Sequence, residues 1–343
     1  MLFSDEDINM NNINLTNMII NPVFDFQFST LMLMKCTRRD WAEQFQDGKL
    51  YFGTPYQWIE MEKKGKKGQG DLLEGVFLSI QEGNETEEVK NLLEDSEIEH
   101  FYDGGYLFFR RKALLNLHCL CIYGIHSNTF TKSIMPNGKA SFSVDVPKEY
   151  FSDFSDVNNL EDYKHIQSDK QPVVVLVNNP HDFFERIKSF LFSLGVKSEE
   201  VIISPVKYID RYTNNNIGMI TPSELLFKDL SFEKQSEVRI VINCNSPKYI
   251  DYMKNHNNLI EIGSLRDITD IYDYYFEDMK IQRLGNKSAL ISLPEKRTLN
   301  MYDMDYWELE KLLVSIMLGT TETTGMSQQC KTLNQISSNC VWL

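Results

Sequence analysis

The stretch Leu31-Met-Leu-Met-Lys-Cys-Thr-Arg-Arg-Asp-Trp-Ala-Glu-Gln-Phe-Gln-Asp-Gly-Lys-Leu-Tyr-Phe-Gly-Thr-Pro55 decides the fold class. Leu31–Met34 is an apolar run of strand length. Thr37 is placed to cap a helix, with Asp40 near its start, Trp41 and Phe45 on one side, and Gly48 to stop it. Lys49-Leu-Tyr-Phe-Gly53 then reads as a short strand, ended by Thr54-Pro55. Strand, helix and strand thus follow one another directly. Upstream, Phe24, Phe26 and Phe28 alternate with Asp25 and Gln27 in a strand pattern. Residues 1–22 are asparagine-rich and weakly patterned, and read as a loosely ordered arm ending at Asn21-Pro22.

Downstream, the pattern predicts a helix over Tyr56–Lys64, a flexible basic loop over Lys63–Gly70, and Asp71-Leu-Leu-Glu74-Gly75 leading into a strand at Val76–Ile80. Residues 82–99 are strongly acidic and read as a solvated loop-and-helix insertion. Strands follow at Tyr106–Phe109, Leu117–Ile125, Ala140–Val146, Val173–Val177 and Val201–Tyr208, with a helix at His181–Leu194. Ile240–Asn243, Leu259–Ile262 and Ala289–Leu293 complete the strands. Leu309, Leu312, Leu313, Ile316 and Met317 mark a late amphipathic helix beginning near Asp303 or Asp305 and closed by Gly319. A shorter helix over Met326–Ile336 and a last strand at Cys340–Leu343 follow. The pattern predicts an α+β fold: a mixed or antiparallel central sheet with flanking helices. With no repeat and no Pro/Gly/Ser-rich linker, residues 23–343 read as one elaborated domain, with a soft division near 153–170.

The composition narrows function. The chain has 343 residues, 35 basic and 49 acidic side chains, and a net charge of −14, which disfavours nucleic-acid or anionic-membrane binding over the whole surface. No run approaches the length of a membrane span, and the acidic start Met1-Leu-Phe-Ser-Asp-Glu-Asp lacks a signal-peptide pattern. Six unevenly spaced cysteines make no disulfide framework, so a cytoplasmic location is expected. Gly-x-Ser-x-Gly, His-Glu-x-x-His, Walker-type and Gly-x-Gly-x-x-Gly motifs are missing. His118, Cys119 and Cys121 lie in an apolar strand-like run where the cysteines face one way and the histidine the other, so no metal site is expected.

Two pairs carry the candidate chemistry. Asp71 and Glu74, three apart after a lysine-rich loop, suit binding a cation or orienting a hydroxyl; equally, Asp71 caps a turn and Glu74 pairs with a base. Glu237 and Arg239 share one face at the entrance to a strand. There a carboxylate can accept from a ribose hydroxyl while the guanidinium fork holds a phosphate; the alternative is a structural ion pair. Lys63–Lys67 and Arg110-Arg-Lys112 suit a local anionic ligand or the chain's own acidic insertion. Asp267–Asp278 mixes acidic and aromatic residues and reads as an amphipathic surface segment.

Taken in order, Leu50-Tyr51-Phe52 with Pro55, Asp71-x-x-Glu74-Gly75, Phe232-x-x-Gln235-x-Glu237-x-Arg239 and Leu318-Gly319 resemble the motifs of an uncharacterised bacterial family associated with phage defence and mobile elements. Two departures stand out: no proline follows Asp71, and Gln235 stands where that family has a glutamate. More distantly, the opening unit is similar to the start of ADP-ribosyltransferase folds. That resemblance implies a split sheet, NAD as cosubstrate, and transfer of ADP-ribose to a macromolecular target. It implies an early cationic group at Arg38 or Lys35, a middle group at Tyr51 or Ser79, and a late glutamate at Glu237. On this basis Glu237, Arg239 and Tyr51 are the expected catalytic residues, and Arg38, Asp71 and Glu74 the expected ligand-binding ones. The alternative is a non-catalytic sensor of the same defence context that binds a protein partner, phage-derived or otherwise.

Overall fold

Pro172–Val177 and Glu237–Ile242 are buried along their whole length, and in the computed structural model both lie inside a six-stranded sheet. The structure describes residues 30–292, without 67, 127–130, 135–139, 155–159, 220–221, 275–278 and 284–288. The arm at 1–22, the Phe24–Phe28 alternation, the helices near 303–317 and 326–336 and the strand at 340–343 lie outside the described residues.

The six strands run in the order Val201–Pro205, Glu237–Ile242, His118–His126, Thr30–Arg38, Pro172–Val177 and Thr269–Asp273, and every neighbouring pair is antiparallel. Helices Arg39–Gln46, Pro180–Ser193 and Pro247–Asn255 flank one face, contributing Ala42, Phe45, Phe183, Ile187, Leu191, Tyr249 and Met253 to a core with Leu33, Val175 and Ile240. On the other face Met32, Met34, Tyr123 and Leu176 pack against Tyr150 and Phe151 of the helix Lys148–Phe154. Apolar side chains at alternate positions fill both faces along Pro172–Val177, while on Glu237–Ile242 the second face carries Glu237 and Arg239. This is the α+β architecture with an antiparallel central sheet.

A second antiparallel sheet joins Asn215–Asn216, Val76–Gln81, Tyr106–Arg111 and Ile98–Asp103 in that order. A parallel pair, Lys207–Ile209 with Phe227–Asp229, is a further small sheet. Leu259–Glu261 pairs with Lys49–Tyr51, and Ala140–Val146 lies in a four-stranded sheet with Thr131–Ile134, Met279–Arg283 and Ala289–Ser292.

Several expectations need correction. Thr37 caps no helix: pairing with Pro172–Val177 carries the first strand through Arg38, and the helix starts at Arg39 without a side-chain cap. The acidic insertion ends in a sheet strand, Ile98–Asp103, and Asp267–Asp278 contains the edge strand Thr269–Asp273. Val201–Tyr208 divides into two strands belonging to different sheets.

Gly48 ends its helix as expected, at φ 84°, and a Cβ there would sit 1.8 Å from the Gly263 carbonyl oxygen. Gly48→Ala combines left-handed strain with a backbone clash. It is expected to cost at least about 1–3 kcal/mol in urea unfolding.

Candidate functional site

The parallel pair, the central sheet and the turn leading into the second sheet each supply buried charges to one polar centre. Glu237 opens its strand just after Ser236, a non-glycine residue at φ 40° whose hydroxyl donates to the Gly124 carbonyl at 2.8 Å. That left-handed turn leads the chain out of the short helix Leu230–Gln235 and into the sheet, with Glu237 and Arg239 on the same face.

Arg239, 1 % exposed, donates through Nη1 to Glu74 Oε1 at 2.5 Å and through Nη2 to Glu74 Oε2 at 3.2 Å. Its Nε donates to Glu237 Oε1 at 2.7 Å, and Nη1 also reaches the Leu225 carbonyl. The Trp58 ring lies against the guanidinium at 4.9 Å. The other oxygen of Glu237 accepts from Lys228 Nζ at 3.2 Å, and Lys228 donates to Gln235 Oε1 at 2.7 Å. Gln235 then ties in the basic loop and the helix Lys148–Phe154, donating to the Gly68 carbonyl at 2.7 Å and to Asp153 Oδ2 at 3.1 Å. Arg211, also 1 % exposed, holds the Val76 carbonyl at 2.7 Å and the Phe227 carbonyl at 3.2 Å, linking the second sheet to the parallel pair.

Asp71 Oδ1 accepts from the Leu73 amide at 2.8 Å, so the turn-capping expectation holds, as does the pairing of Glu74 with a base. Asp71 Oδ2, however, is buried and has no hydrogen-bond partner. Asp71, Glu74, Asp229 and Glu237 face Lys228, Arg211 and Arg239, and Lys35 also acts on Glu237. Burial alone would raise Glu237, but Arg239 and Lys228 hold it well below the usual carboxylate range. For Asp71 and Glu74 burial wins, and both are raised despite the nearby cations.

A raised carboxyl lets the folded state keep its proton while the unfolded chain ionises. Stability is therefore lost as pH rises above the ordinary value near pH 4. Asp71→Asn keeps an oxygen for the Leu73 amide and removes that loss. The variant is expected to gain stability over wild type in thermal melts as pH rises from about 4 to 7, and to converge with it below about pH 4.

The other expected residues lie elsewhere. Tyr51 is 50 % exposed and donates to Gln57 Oε1 at 3.0 Å. Arg38 is exposed, donates through Nε to Asp40 Oδ1 at 3.0 Å, and lies against Trp41. Ser79 is buried in the second sheet, donating to the Thr213 carbonyl at 2.7 Å. Lys35 comes nearer the centre. Beyond Met34 its strand keeps only the pairing to Pro172–Val177, Gly53 bridges to Cys119, and Lys35 Nζ donates to the Cys121 carbonyl at 2.9 Å. The structure therefore brings together Asp71, Glu74, Glu237 and Arg239, and leaves out Tyr51 and Arg38. Sequence reading missed Lys228, Arg211 and Trp58. The signal for Lys228 was a charged pair, Lys228-Asp229, inside the apolar run Leu225–Leu230.

Lys63 of the first basic segment and the arginines of the second are also partnered. Lys63 pairs with Glu60 at 2.9 Å, Arg110 forks onto both oxygens of Glu99 at 3.0 Å, and Arg111 pairs with Glu224. Glu99 belongs to the acidic insertion, so Arg110 is matched by the chain's own acid. His118 lies between Asn258 Oδ1 at 3.1 Å and the Tyr249 hydroxyl at 2.9 Å. Burial pushes the Cys119 and Cys121 thiols up. Among the described residues no group of His, Cys, Asp and Glu is arranged to hold a metal, and no helix is long and apolar enough to cross a membrane.

No family model, curated protein or solved structure matches this chain. The chemistry of the centre therefore has to be read from its own geometry. Both oxygens of Glu237 and both terminal nitrogens and the Nε of Arg239 are engaged inside the protein. The centre is a brace that holds three sheets and the loop around Gly68 together, with the Asp71 oxygen its one carboxylate atom left unpartnered among the described residues.

Proposed function

We propose that the chain is a non-catalytic, partner-binding component of a bacterial phage-defence system that acts in the cytoplasm. The defence context rests on the ordered motif resemblance from Leu50 to Gly319. The observation that carries the non-catalytic reading is the engagement of Glu237: Arg239 holds one oxygen and Lys228 the other, both cations are buried, and at 6 % exposure the carboxylate is closed off from a ribose hydroxyl. Replacing those contacts by a substrate would leave Arg239 and Lys228 buried and partly unpaired, a cost of several kcal/mol. The dispersal of Tyr51 and Arg38 from this centre supports the same reading.

A second reading, transfer of ADP-ribose from NAD, keeps support from two observations. The unpartnered Asp71 oxygen lies in a centre rich in cations, and Lys35 reaches across where the first strand leaves its neighbour. In that reading Lys35, not Arg38, fills the early cationic role. Incubating the full chain with labelled NAD and host lysate separates the two. The expected result is no protein-bound label, together with a stable complex recovered from phage-challenged cells. Label transfer that disappears in Glu237→Gln would overturn the non-catalytic reading.

A further inference from the structure

The second sheet ends in a strand whose outer side has no strand partner among the described residues. Ile98–Asp103 pairs only with Tyr106–Arg111, in unbroken register from Ile98 opposite Arg111 to Asp103 opposite Tyr106. Along its outer side, His100 and Tyr102 present backbone N–H and C=O groups with no ladder to join, while the Ile98 N–H donates to the Asp95 carbonyl at 3.1 Å. Edge strands are ordinarily blunted by proline, lysine, a bulge or an unpaired charge. The run Ile-Glu-His-Phe-Tyr-Asp has no proline and no lysine, and its pairing shows no bulge. Its two acids are already engaged, Glu99 by Arg110 and Asp103 by the Tyr212 hydroxyl. His100 is exposed and Tyr102 is 56 % exposed.

Of the other long edges, Val201–Pro205 ends in proline, whereas Thr269–Asp273 has its acids engaged in the same way, Asp270 by Asn178 and Asp273 by Arg39. Ile98–Asp103 is distinguished from it by its flank. The helix Glu87–Glu94 packs against it, and the segment before the strand exposes Glu82, Glu87, Glu88, Glu94, Asp95 and Glu97, with Lys90 the lone base. A free edge supplies main-chain hydrogen bonds to any extended segment, and an acidic flank selects its charge.

We propose that Ile98–Asp103 is a docking edge on which a lysine- or arginine-rich extended segment of a partner protein adds as a further strand. The backbone ladder supplies register, the carboxylates of residues 82–97 attract the basic side chains, and Tyr102 covers their aliphatic stems. The added segment spans about six residues, the length of the edge. This deepens the partner-binding reading and rests on it.

The test uses the full chain and a short synthetic peptide of alternating lysine and valine. Its controls are a glutamate–valine peptide and the lysine–valine peptide with alternate backbone nitrogens methylated. Fluorescence anisotropy reads binding, and amide hydrogen exchange reads its place. The expected result is binding by the lysine–valine peptide alone, with exchange at alternate amides of 98–103 slowed about tenfold. The charge-reversing pair Glu94→Lys and Glu97→Lys, both on exposed positions, should weaken it several-fold with an unchanged circular dichroism spectrum. Equal binding by the methylated peptide, or binding that leaves the amides of 98–103 unprotected, would overturn the proposal. A complex from phage-challenged cells whose 98–103 amides exchange as in the free chain would overturn the docking edge alone and leave partner binding standing.

Discussion

Arg239→Ala is expected to destabilise the fold by about 3–5 kcal/mol, a large part of the whole stability of an ordinary domain. The guanidinium is the shared partner of Glu74 and Glu237 and also donates to the Leu225 carbonyl, all in the interior. Its removal leaves Glu74 without a hydrogen-bonded cation and Glu237 with Lys228 alone, a carbonyl without its donor, and a gap beside Trp58. The intact network contributes little net stability, because desolvating its charges offsets most of their attraction; breaking it is what costs. Thermal unfolding should fall by about 10 °C. A melting temperature unchanged from wild type would show that the centre braces nothing.

Arg211→Ala is the second large effect, expected at about 2–4 kcal/mol. Here the loss is mainly of backbone partners: the Val76 and Phe227 carbonyls, both held by Arg211, become buried acceptors without donors. Burial pulls Arg211 down to about 10, still fully charged at neutral pH, so its departure also removes a cation from beside Asp71. Amide exchange should quicken first at Val76–Gln81 and Phe227–Asp229, the strands it links. Uniform quickening across the whole chain would instead mean that Arg211 acts on global stability alone.

Much of the fold was legible because burial and alternation coincide. Val173–Val177 could be read as a buried strand from its unbroken apolar run, and Pro180 with Asn179 marked the start of the following helix, where Asn179 accepts from the Asp182 amide. What was illegible depended on partners distant in sequence. Ile98–Asp103 carries a strand's alternation only in part, since Glu99 and Asp103 owe their places to Arg110 and Tyr212. Thr37 looked like a cap because local chemistry favours it, but pairing with Val173 kept it in a strand.

The polar centre shows the same division. The spacing of Glu237 and Arg239 placed them on one face, and Asp71-x-x-Glu74 marked a turn into a strand. Nothing in either motif says that Glu74 lies on Arg239, because that contact joins a turn to the central sheet across a long sequence interval. Tyr51 and Arg38 were drawn in by the pattern of a resembling family, whereas each ends a strand that leaves it at the surface.

Calorimetric titration of NAD into the full chain, wild type beside Glu237→Gln, tests most directly whether the centre is a brace or an active site. Flat isotherms for both proteins are the expected result, because the acceptors of Glu237 are committed to Arg239 and Lys228. A saturable isotherm for wild type that vanishes in a folded Glu237→Gln variant would contradict it.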